Sequence, residues 1–408
     1  MKISKTELKR AIQAIKSTIE TKEANLFSRV WMDIAGDKLR LRATNGEANT
    51  TVVVDAIDPI ECDIEYKTLV DFLRTASNEI EIIQESSLLF KIKSGITSMS
   101  FGVYIFDIED KETIKRELDS DIEGISYPHD IVITQSAIDA IDPTAQKFEL
   151  AGLLIDFKSG RVAGTDMHRL TVQNIEPMDL PPIIIPKQYI KAGLISEIVA
   201  NKDELSYIVE DTLIKTKLIH GKYPDIERII PNHRNIKIGF NSSDFKKLKY
   251  RDSEIIIKDN ICTIIEEKSN KIIKFECDYP SSYKIQFRVN VKYIADALSD
   301  GKMTIGISMN SIPIVVENND IKTIIMPIMK DEDSVIEYHY GQMQSYGSTF
   351  QYGVVKPKAK STAVKLKEQE LEINWLKKQV ALLEGRLEKY EAQNSQAKKD
   401  KLAEIFTK

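Results

Sequence analysis

Cysteine is scarce in this 408-residue chain, and no long apolar run interrupts it. The three cysteines, Cys62, Cys262 and Cys277, are an odd number without CxxC spacing, which excludes a disulfide framework and a zinc site. No segment approaches the roughly 20 apolar residues of a transmembrane helix, and the first residues lack the apolar stretch of a signal peptide. We therefore expect buried reduced thiols, no metal, no membrane association and a cytoplasmic location.

A basic excess is missing as well. The chain has 57 Lys and Arg against 62 Asp and Glu, a formal net charge of -5. Nucleic-acid-binding proteins usually show a basic excess, so the total charge taken alone disfavours that class. The charge is uneven, however: 13 basic and 12 acidic residues follow position 330, which leaves 44 and 50 before it.

The first 330 residues have the texture of strands joined by tight turns. Short alternating runs of Ile, Val and Leu, such as residues 79–83 and 212–219, predict strands with one buried face. Apolar residues at helical spacing predict a helix from Thr6 to Ile19, behind a capping pair of Ser4 and Glu7. Further helical stretches are predicted at 66–77, 187–200 and 290–300. This mixture indicates an α+β fold with antiparallel sheets.

The texture changes after residue 330. Residues 331–362 are rich in Gly, Gln, Ser and Tyr, which predicts a flexible linker. Residues 363–408 carry an apolar heptad seam with Glu and Lys on its flanks, which predicts a coiled coil. A single amphipathic helix packed on its own globular part is the alternative. The seam consists of Leu366, Ile373, Leu376, Val380, Leu383, Leu387 and Tyr390.

Three segments of the first 330 residues share one order: a turn, a strand, then an extended stretch that enters a helix through a lysine. The three lysines are Lys67, Lys187 and Lys292. Three repeats of about 110 residues each suit the usual size of a domain. We therefore predict domain 1 at residues 1–124, domain 2 at 125–238 and a shortened domain 3 at 239–330.

Four stretches in collinear order carry a family resemblance. They are Thr165-Asp-Met-His-Arg-Leu170, the segment from Lys217 through Tyr223-Pro-Asp to Pro231, Val289-Asn-Val-Lys-Tyr293, and Ile324-Ile-Met-Pro-Ile328. Together they resemble the bacterial sliding clamp, the beta subunit of DNA polymerase III. The resemblance runs from about residue 1 to residue 330. It implies three repeated clamp domains, with antiparallel sheets outside and helices lining a ring that two copies close head to tail around duplex DNA.

The resemblance also implies a function without chemistry. Such a ring is a processivity factor that tethers the replicative DNA polymerase and other clients, is placed on DNA by a clamp loader, and uses no cofactor. A ring can keep an acidic exterior while basic helices line its hole, so the net charge bears on where DNA touches. By helix face and by family position, the residues expected to face DNA are Arg10, Gln13, Lys22, Lys67, Arg74, Lys187 and Lys292. Ordinary solvated side chains are the alternative for each of them.

A second site implied by the resemblance is a pocket between domains 2 and 3 that receives Leu and Phe side chains of a client peptide. An apolar floor with His and Arg at its rim suits that ligand. Carried over by motif, its lining is Leu150, Thr165, His168, Arg169, Leu170, Pro224, Arg228, Ile229, Asn290, Tyr293, Pro313, Ile324, Met326 and Pro327. Ring closure is expected to use an apolar strand edge of domain 1 that contains Met99, Phe101 and Val103.

The chain departs from the family pattern at several positions. Met167 stands where the family has a glycine, so we expect either a turn that tolerates a side chain or a reshaped pocket mouth. The first helix of domain 3, near 240–250, is short, which puts ring closure in question. The tail has no family counterpart; it is expected either to dimerise in support of the ring or to recruit a separate helical partner.

Two other function classes are alternatives to a processivity factor. His168 beside Asp166 matches no metal motif, and the chain has no Walker loop or nucleophile elbow, so an enzyme is disfavoured. The second class is a clamp-derived scaffold whose coiled-coil tail recruits partners for transcription or for a mobile element. The altered pocket, the short third domain and the added tail motivate it.

Overall fold

The computed structural model describes residues 1–21, 25–102, 108–231, 236–241, 245, 252–266, 271–279, 284–297, 302–307, 313–318 and 320–328. Three sets of predicted residues lie outside these ranges. They are Lys22, Val103 and the whole linker and coiled-coil tail, including its seam. The short helix predicted near 240–250 also falls almost entirely outside them. Among the described residues, no helix has the length and apolarity needed to cross a bilayer.

Five α-helices are present in the described residues, and their bounds are α1 (Lys5–Ile15), α2 (Tyr66–Thr75), α3 (Ile108–Asp119), α4 (Gln135–Asp139) and α5 (Val291–Ala297). The hydroxyl of Ser4 caps α1 by accepting a hydrogen bond from the backbone N–H of Glu7 at 3.1 Å. Helix α1 buries Leu8, Ala11, Ile12 and Ile15, and α2 buries Leu69, Phe72 and Leu73. The helices predicted at the start of the chain, at 66–77 and at 290–300 are therefore confirmed where they are described.

The helix predicted for 187–200 is wrong. A 3-10 turn at Lys187–Tyr189 is followed by a strand over Gly193–Ala200. Gly193 has φ +134°, a conformation that a helix cannot use. Beyond it, the β-branched side chains of Ile195 and Ile198 are buried in the core of domain 2. A β-bulge near Glu197 keeps both side chains on the inner face of the sheet. Domain 2 thus lacks the second helix that the family resemblance implies.

Helix α3 is the opposite case, because no pattern in the sequence predicted it. Its Ile114 and Leu118 are buried against Trp31, beside Leu26 and Phe27. Asp119 at its last turn pairs with the buried Arg42. The helix therefore covers the face of the domain 1 sheet that points away from the main core.

Within the described ranges, all strand pairs are antiparallel, and the 25 strands found there form four sheets. In spatial order, the first sheet is β1 (Lys2–Ser4), β6 (Glu79–Gln84), β7 (Leu89–Ser94) and β8 (Thr97–Gly102). The second is β10 (Ile131–Ile133), β15 (Gly193–Ala200), β16 (Glu204–Val209), β17 (Thr212–Lys217), β4 (Ala48–Val54), β3 (Lys38–Thr44), β2 (Arg29–Ala35) and β5 (Cys62–Glu65), with β9 (Ile125–Ser126) on β15.

The other two sheets belong to the second half of the chain. The third is β14 (Ile183–Pro186), β11 (Gly152–Asp156), β12 (Arg161–Thr165), β13 (Arg169–Asn174), β25 (Ile321–Ile325), β24 (Ile314–Asn318), β23 (Lys302–Ile307) and β18 (Ile236–Asn241). The fourth is β21 (Ile272–Glu276), β20 (Ile261–Glu266), β19 (Asp252–Lys258) and β22 (Ile285–Asn290). The α+β class with antiparallel sheets is confirmed.

The two long sheets join neighbouring domains in the same way. Strand β17 of domain 2 pairs with β4 of domain 1, and β25 of domain 3 pairs with β13 of domain 2. Just past each pairing, a backbone N–H donates to a carbonyl in the facing hairpin turn, Lys217 to Glu47 at 3.1 Å and Met326 to His168 at 2.8 Å. The two junctions are structural copies of each other, as a chain of repeated domains requires.

Candidate functional site

The floor of the predicted pocket is a buried apolar cluster shared by domains 2 and 3. It brings together Leu150 and Leu170 from domain 2 with Ile324 from domain 3, and all three are nearly inaccessible. Seven buried members of this cluster are absent from the predicted lining, among them Tyr223 and Ile226, although both lie inside the 217–231 segment. Burial raises the pKa of the Tyr223 hydroxyl, as expected for a phenol packed among aliphatic side chains.

The exposed part of the predicted lining stands above this floor. His168, Pro224 and Arg228 are exposed, and the apolar side chains of Ile229 and Met326 are 43% and 45% exposed. Pro313, Tyr293, Asn290 and Pro327 are half-buried. The side-chain oxygen of Asn290 accepts the backbone N–H of Lys292 at 3.1 Å and so caps the start of α5. Exposed apolar groups near the floor are suited to an apolar ligand.

Arg169 lies below the surface and not at the rim of the pocket, contrary to the prediction. Its side chain is almost fully buried, and its guanidinium donates to Asp166 at 3.2 Å, to Asp296 at 2.7 Å and to the backbone carbonyl of Asp139. Because Asp166 and Asp139 lie in domain 2 while Asp296 lies in α5 of domain 3, Arg169 ties the two domains together. Because the side chain is buried and each of its three nitrogens already donates to a group within the protein, Arg169 is poorly placed to bind a peptide backbone.

The turn between β12 and β13 explains how Met167 replaces a glycine. Asp166 accepts the backbone N–H groups of His168 at 3.0 Å and Arg169 at 2.8 Å, and Thr165 accepts that of Met167 at 3.1 Å. These bonds hold Met167 at φ +70°, in the left-handed region that favours glycine. Its side chain is 66% exposed next to His168. The turn keeps the backbone shape and adds an apolar side chain to its outer surface.

Four of the residues predicted to face DNA are exposed on their helices. They are Gln13 on α1, Lys67 and Arg74 on α2, and Lys292 on α5. Arg74 pairs with Asp71 at 2.8 Å, with both groups exposed. Lys292 donates to Asp296 at 2.6 Å and therefore belongs to the same charge cluster as Arg169.

Arg10 and Lys187 are placed differently from the prediction. Arg10 bonds Glu7 at 2.8 Å and also Asp211, which lies in the β16–β17 turn of domain 2, and these hydrogen bonds raise its pKa. The Lys187 ammonium donates to the backbone carbonyl of Ile141. Desolvation lowers its pKa. Both cations stabilise contacts within the protein, because Asp211 lies 201 residues from Arg10 and Ile141 lies 46 residues from Lys187.

The predicted ring interface lies on β8, an edge strand of the first sheet. Met99 is half-buried, whereas Phe101 is buried in the domain 1 core and stacks on Phe90 with centroids 5.8 Å apart. Phe101 therefore contributes backbone rather than side chain to any edge contact.

A surface cleft of about 430 Å³ lined by Lys115, Arg116, Asp119 and Ser120 belongs to domain 1 and shares no residue with the predicted pocket.

Known proteins give a consistent picture. No family model matches the chain. The beta sliding clamp of Pseudomonas aeruginosa is 22% identical over 329 residues, covering 76% of this chain and 87% of the relative. That of Helicobacter pylori strain J99 is 21% identical over 268 residues, covering 60% and 70%.

Solved structures agree with these relatives. The Helicobacter pylori beta clamp bound to a DNA ligase peptide matches with a TM-score of 0.61 at 19% identity, covering 81% of this chain and 99% of that one. A Pseudomonas aeruginosa sliding clamp bound to griselimycin matches with a TM-score of 0.59 at 18% identity, covering 81% and 99%. By sequence and by fold, the chain is a divergent relative of the bacterial beta sliding clamps.

Proposed function

We propose that this protein is a sliding clamp, a non-catalytic processivity factor whose two copies close into a ring around duplex DNA. The observation that carries this proposal is the copied junction between domains. The same strand pairing between neighbouring domains occurs twice within the chain. The strands that correspond to its two sides in the outer domains are the edge strands β8 of domain 1 and β21 of domain 3. A third use of the same step, between two copies, closes a head-to-tail ring.

The registers of the two junctions specify the contact between the copies. Thr212 faces Val52 at the first junction, and Ile321 faces Gln173 at the second. The last residue pair before each turn makes Thr97 on β8 the counterpart of Thr212 and Ile321. Val52 and Gln173 are paired with the core residues Leu41 and Val162, and the corresponding pair in domain 3 is Ile264 with Ile273, so Thr97 aligns with Ile273 on β21. Met99 of one copy then faces Lys271 of the other. Ile272, next to Lys271, is 58% exposed in the single chain, and pairing would cover it.

A cysteine pair tests this register. The double variant Met99→Cys with Lys271→Cys places two thiols directly opposite each other across the interface, at a distance that a disulfide spans. Under mild oxidation, a closed ring gives a covalent dimer on a non-reducing gel. The control, Ser98→Cys with Lys271→Cys, is one residue out of register, so its thiols point to opposite faces and should not link. Equal linking of both pairs, or an open ladder of oligomers, would contradict the ring.

Encirclement of DNA is tested by a retention assay that needs no loader. The protein is threaded onto a linear duplex with biotin at both ends, streptavidin is added, and the complex is washed at high salt. A ring is retained on blocked ends and lost from free ends, because salt removes only electrostatic contacts. Equal loss from both duplexes would overturn the proposal.

The pocket between domains 2 and 3 supports the second half of the function, the tethering of clients. Its floor is apolar, and Ile229 and Met326 stand exposed above it. We assign it to short client segments with Leu and Phe side chains, such as those of a replicative polymerase or a clamp loader, acting in the cytoplasm. An exposed apolar pair over an apolar floor gives affinity through desolvation.

A further inference from the structure

Two lysines on α1 and at its C-terminal cap, Lys9 and Lys16, are absent from the residues predicted to face DNA. Lys9 and Lys16 are both exposed, and with Gln13 they follow a spacing of four and three residues, so all three lie on one face of the helix. Neither lysine forms an ion pair with any described residue. Arg10 occupies another flank, the one that meets Asp211 of domain 2.

The face that carries Lys9 and Lys16 lies toward α2. Lys5, one turn before Lys9, donates its ammonium to the backbone carbonyl of Ala76 at the end of α2, at 2.6 Å. Lys5, Lys9 and Lys16 share a flank, because four and eleven residues are close to one and three full turns. The α1 lysines therefore stand next to the exposed face of its neighbour.

Helix α2 extends this surface. Lys67 and Arg74 are exposed and lie seven residues apart, which is about 10 Å along the helix axis, on the face opposite Leu69 and Phe72. Arg74 is partnered only at the surface, by Asp71. We call Lys9, Lys16, Lys67 and Arg74 the basic strip. Among the described residues, Asp71 is the one carboxylate that forms an ion pair with a member of the basic strip.

Helix α4 and the 3-10 turn at Lys187–Tyr189 offer no equivalent in domain 2, whose exposed Arg228 stands on another 3-10 turn, at the predicted pocket. Helix α4 has the sequence QSAID and carries no cation. The 3-10 turn that stands where the second helix was predicted holds Lys187, which donates to the carbonyl of Ile141. Lys191, just beyond it, is half-buried and donates to the carbonyl of Ala14 at 2.8 Å. In the part of domain 2 that the structure describes, these helical elements present no exposed cation.

We infer that the duplex is held on domain 1, through phosphate contacts made by the basic strip, and that α4 and the Lys187–Tyr189 turn of domain 2 contribute no ionic contact. This inference rests on the proposed function and adds an asymmetry to it. Exposed lysines without fixed partners form contacts that follow the charge of the phosphates and carry no sequence information. Such contacts suit a protein that must slide.

The test is the salt dependence of binding to a fluorescent duplex of about 30 base pairs, measured by anisotropy between about 50 and 200 mM salt. Each phosphate contact contributes about 0.9 to the slope of log affinity against log salt. Lys9→Gln, Lys16→Gln and Lys67→Gln should each lower that slope by about 0.9, and the triple variant by about 2.7. All three are exposed, so the fold should be unaffected. Lys187→Gln and the exposed Lys158→Gln are the matched controls and should leave the slope unchanged.

The outcomes separate the two claims. If the unaltered protein binds duplex and the slope falls only for the strip variants, the inference holds. If it binds duplex but the slope is unchanged in the strip variants, or falls as much for Lys187→Gln, the inference is wrong and the clamp function stands. If the unaltered protein shows neither salt-dependent duplex binding nor retention on end-blocked DNA, both are wrong.

Discussion

The guanidinium of Arg169 lies over the ring of Tyr293, 4.4 Å from its centroid, so that a cation from domain 2 stacks on an aromatic side chain of domain 3. The same guanidinium reaches Asp296 on α5, one turn from Tyr293. Helix α5 is thereby fixed beside the pocket floor by a residue at the pocket's edge. The shape of the pocket consequently depends on how firmly domains 2 and 3 are joined.

Replacing Arg169 should therefore weaken that junction. Arg169→Ala removes a buried cation and leaves Asp166 and Asp296 with fewer partners, which costs about 3 to 4 kcal/mol in the free energy of unfolding. Chemical denaturation monitored by circular dichroism measures the change. Arg228→Ala removes an exposed pair with Asp225, at 2.9 Å, and should cost less than about 0.5 kcal/mol. Equal losses for the two variants would show that Arg169 does not join the domains.

Met167 should be replaceable with a gain in stability. Its φ of +70° is strained for a side-chain-bearing residue, and the side chain is largely exposed, so Met167→Gly relieves strain while losing little packing. Glycine loses more backbone conformational entropy on folding, which offsets part of this stabilisation. We therefore expect a net increase of about 0.5 to 1 kcal/mol in the free energy of unfolding, measured by thermal unfolding. Met167→Ala keeps the strain and should show no gain. A loss of stability in Met167→Gly would mean that the methionine side chain contributes packing that outweighs its strain.

The sequence predicted the elements whose signal is local. Helices α1 and α2 follow from apolar residues at helical spacing, and the antiparallel strands follow from alternation. The 187–200 segment was wrongly predicted as a helix because its apolar spacing fits a bulged strand equally well. The pairing of this segment with β16 selects the strand, and that pairing cannot be read from the segment itself. Helix α3 has only two described buried apolar side chains, Ile114 and Leu118, too few to mark an amphipathic face.

The candidate sites show a similar limit. The four motifs supply only part of the buried apolar cluster, namely Leu170, Tyr223, Ile226 and Ile324. Spacing alone could not reveal that Arg10 meets Asp211 or that Arg169 meets Asp296, since these partners lie 201 and 127 residues away. A single sequence shows a cation on a helix face or in a turn, and only the fold shows which carboxylate neutralises it.

Lys191 should make the stability of the protein depend on pH. Desolvation lowers its pKa from 10.5 to about 8. Below pH 8 the ammonium is charged in both the folded and the unfolded chain, and its partial burial costs stability. Between about pH 8 and 10.5 the folded chain releases the proton first, so the unfolded chain binds more protons and stability rises with pH.

The measurement compares the unaltered protein with Lys191→Met at pH 7.5 and 9.5. The difference in unfolding free energy between the two proteins should shift by about 1 to 2 kcal/mol in favour of the unaltered protein at the higher pH, after allowance for solvent screening of a partly accessible group. Other titrating groups are common to both proteins and cancel in the comparison. A difference that does not change with pH would mean that the ammonium is not desolvated.

The exposed apolar residues over the pocket should govern client binding without governing stability. Ile229→Asp and Met326→Asp each place a carboxylate where an apolar ligand group would be desolvated, so a fluorescent peptide containing Leu and Phe should bind at least about tenfold more weakly. Ile261→Asp is the matched control, because Ile261 is 46% exposed on domain 3 but lies on β20, outside the predicted lining. All three variants should unfold at similar denaturant concentrations, since the three original residues are exposed to nearly the same degree. If Ile261→Asp weakens the peptide as much as the pocket variants do, the peptide recognises general surface hydrophobicity rather than this pocket.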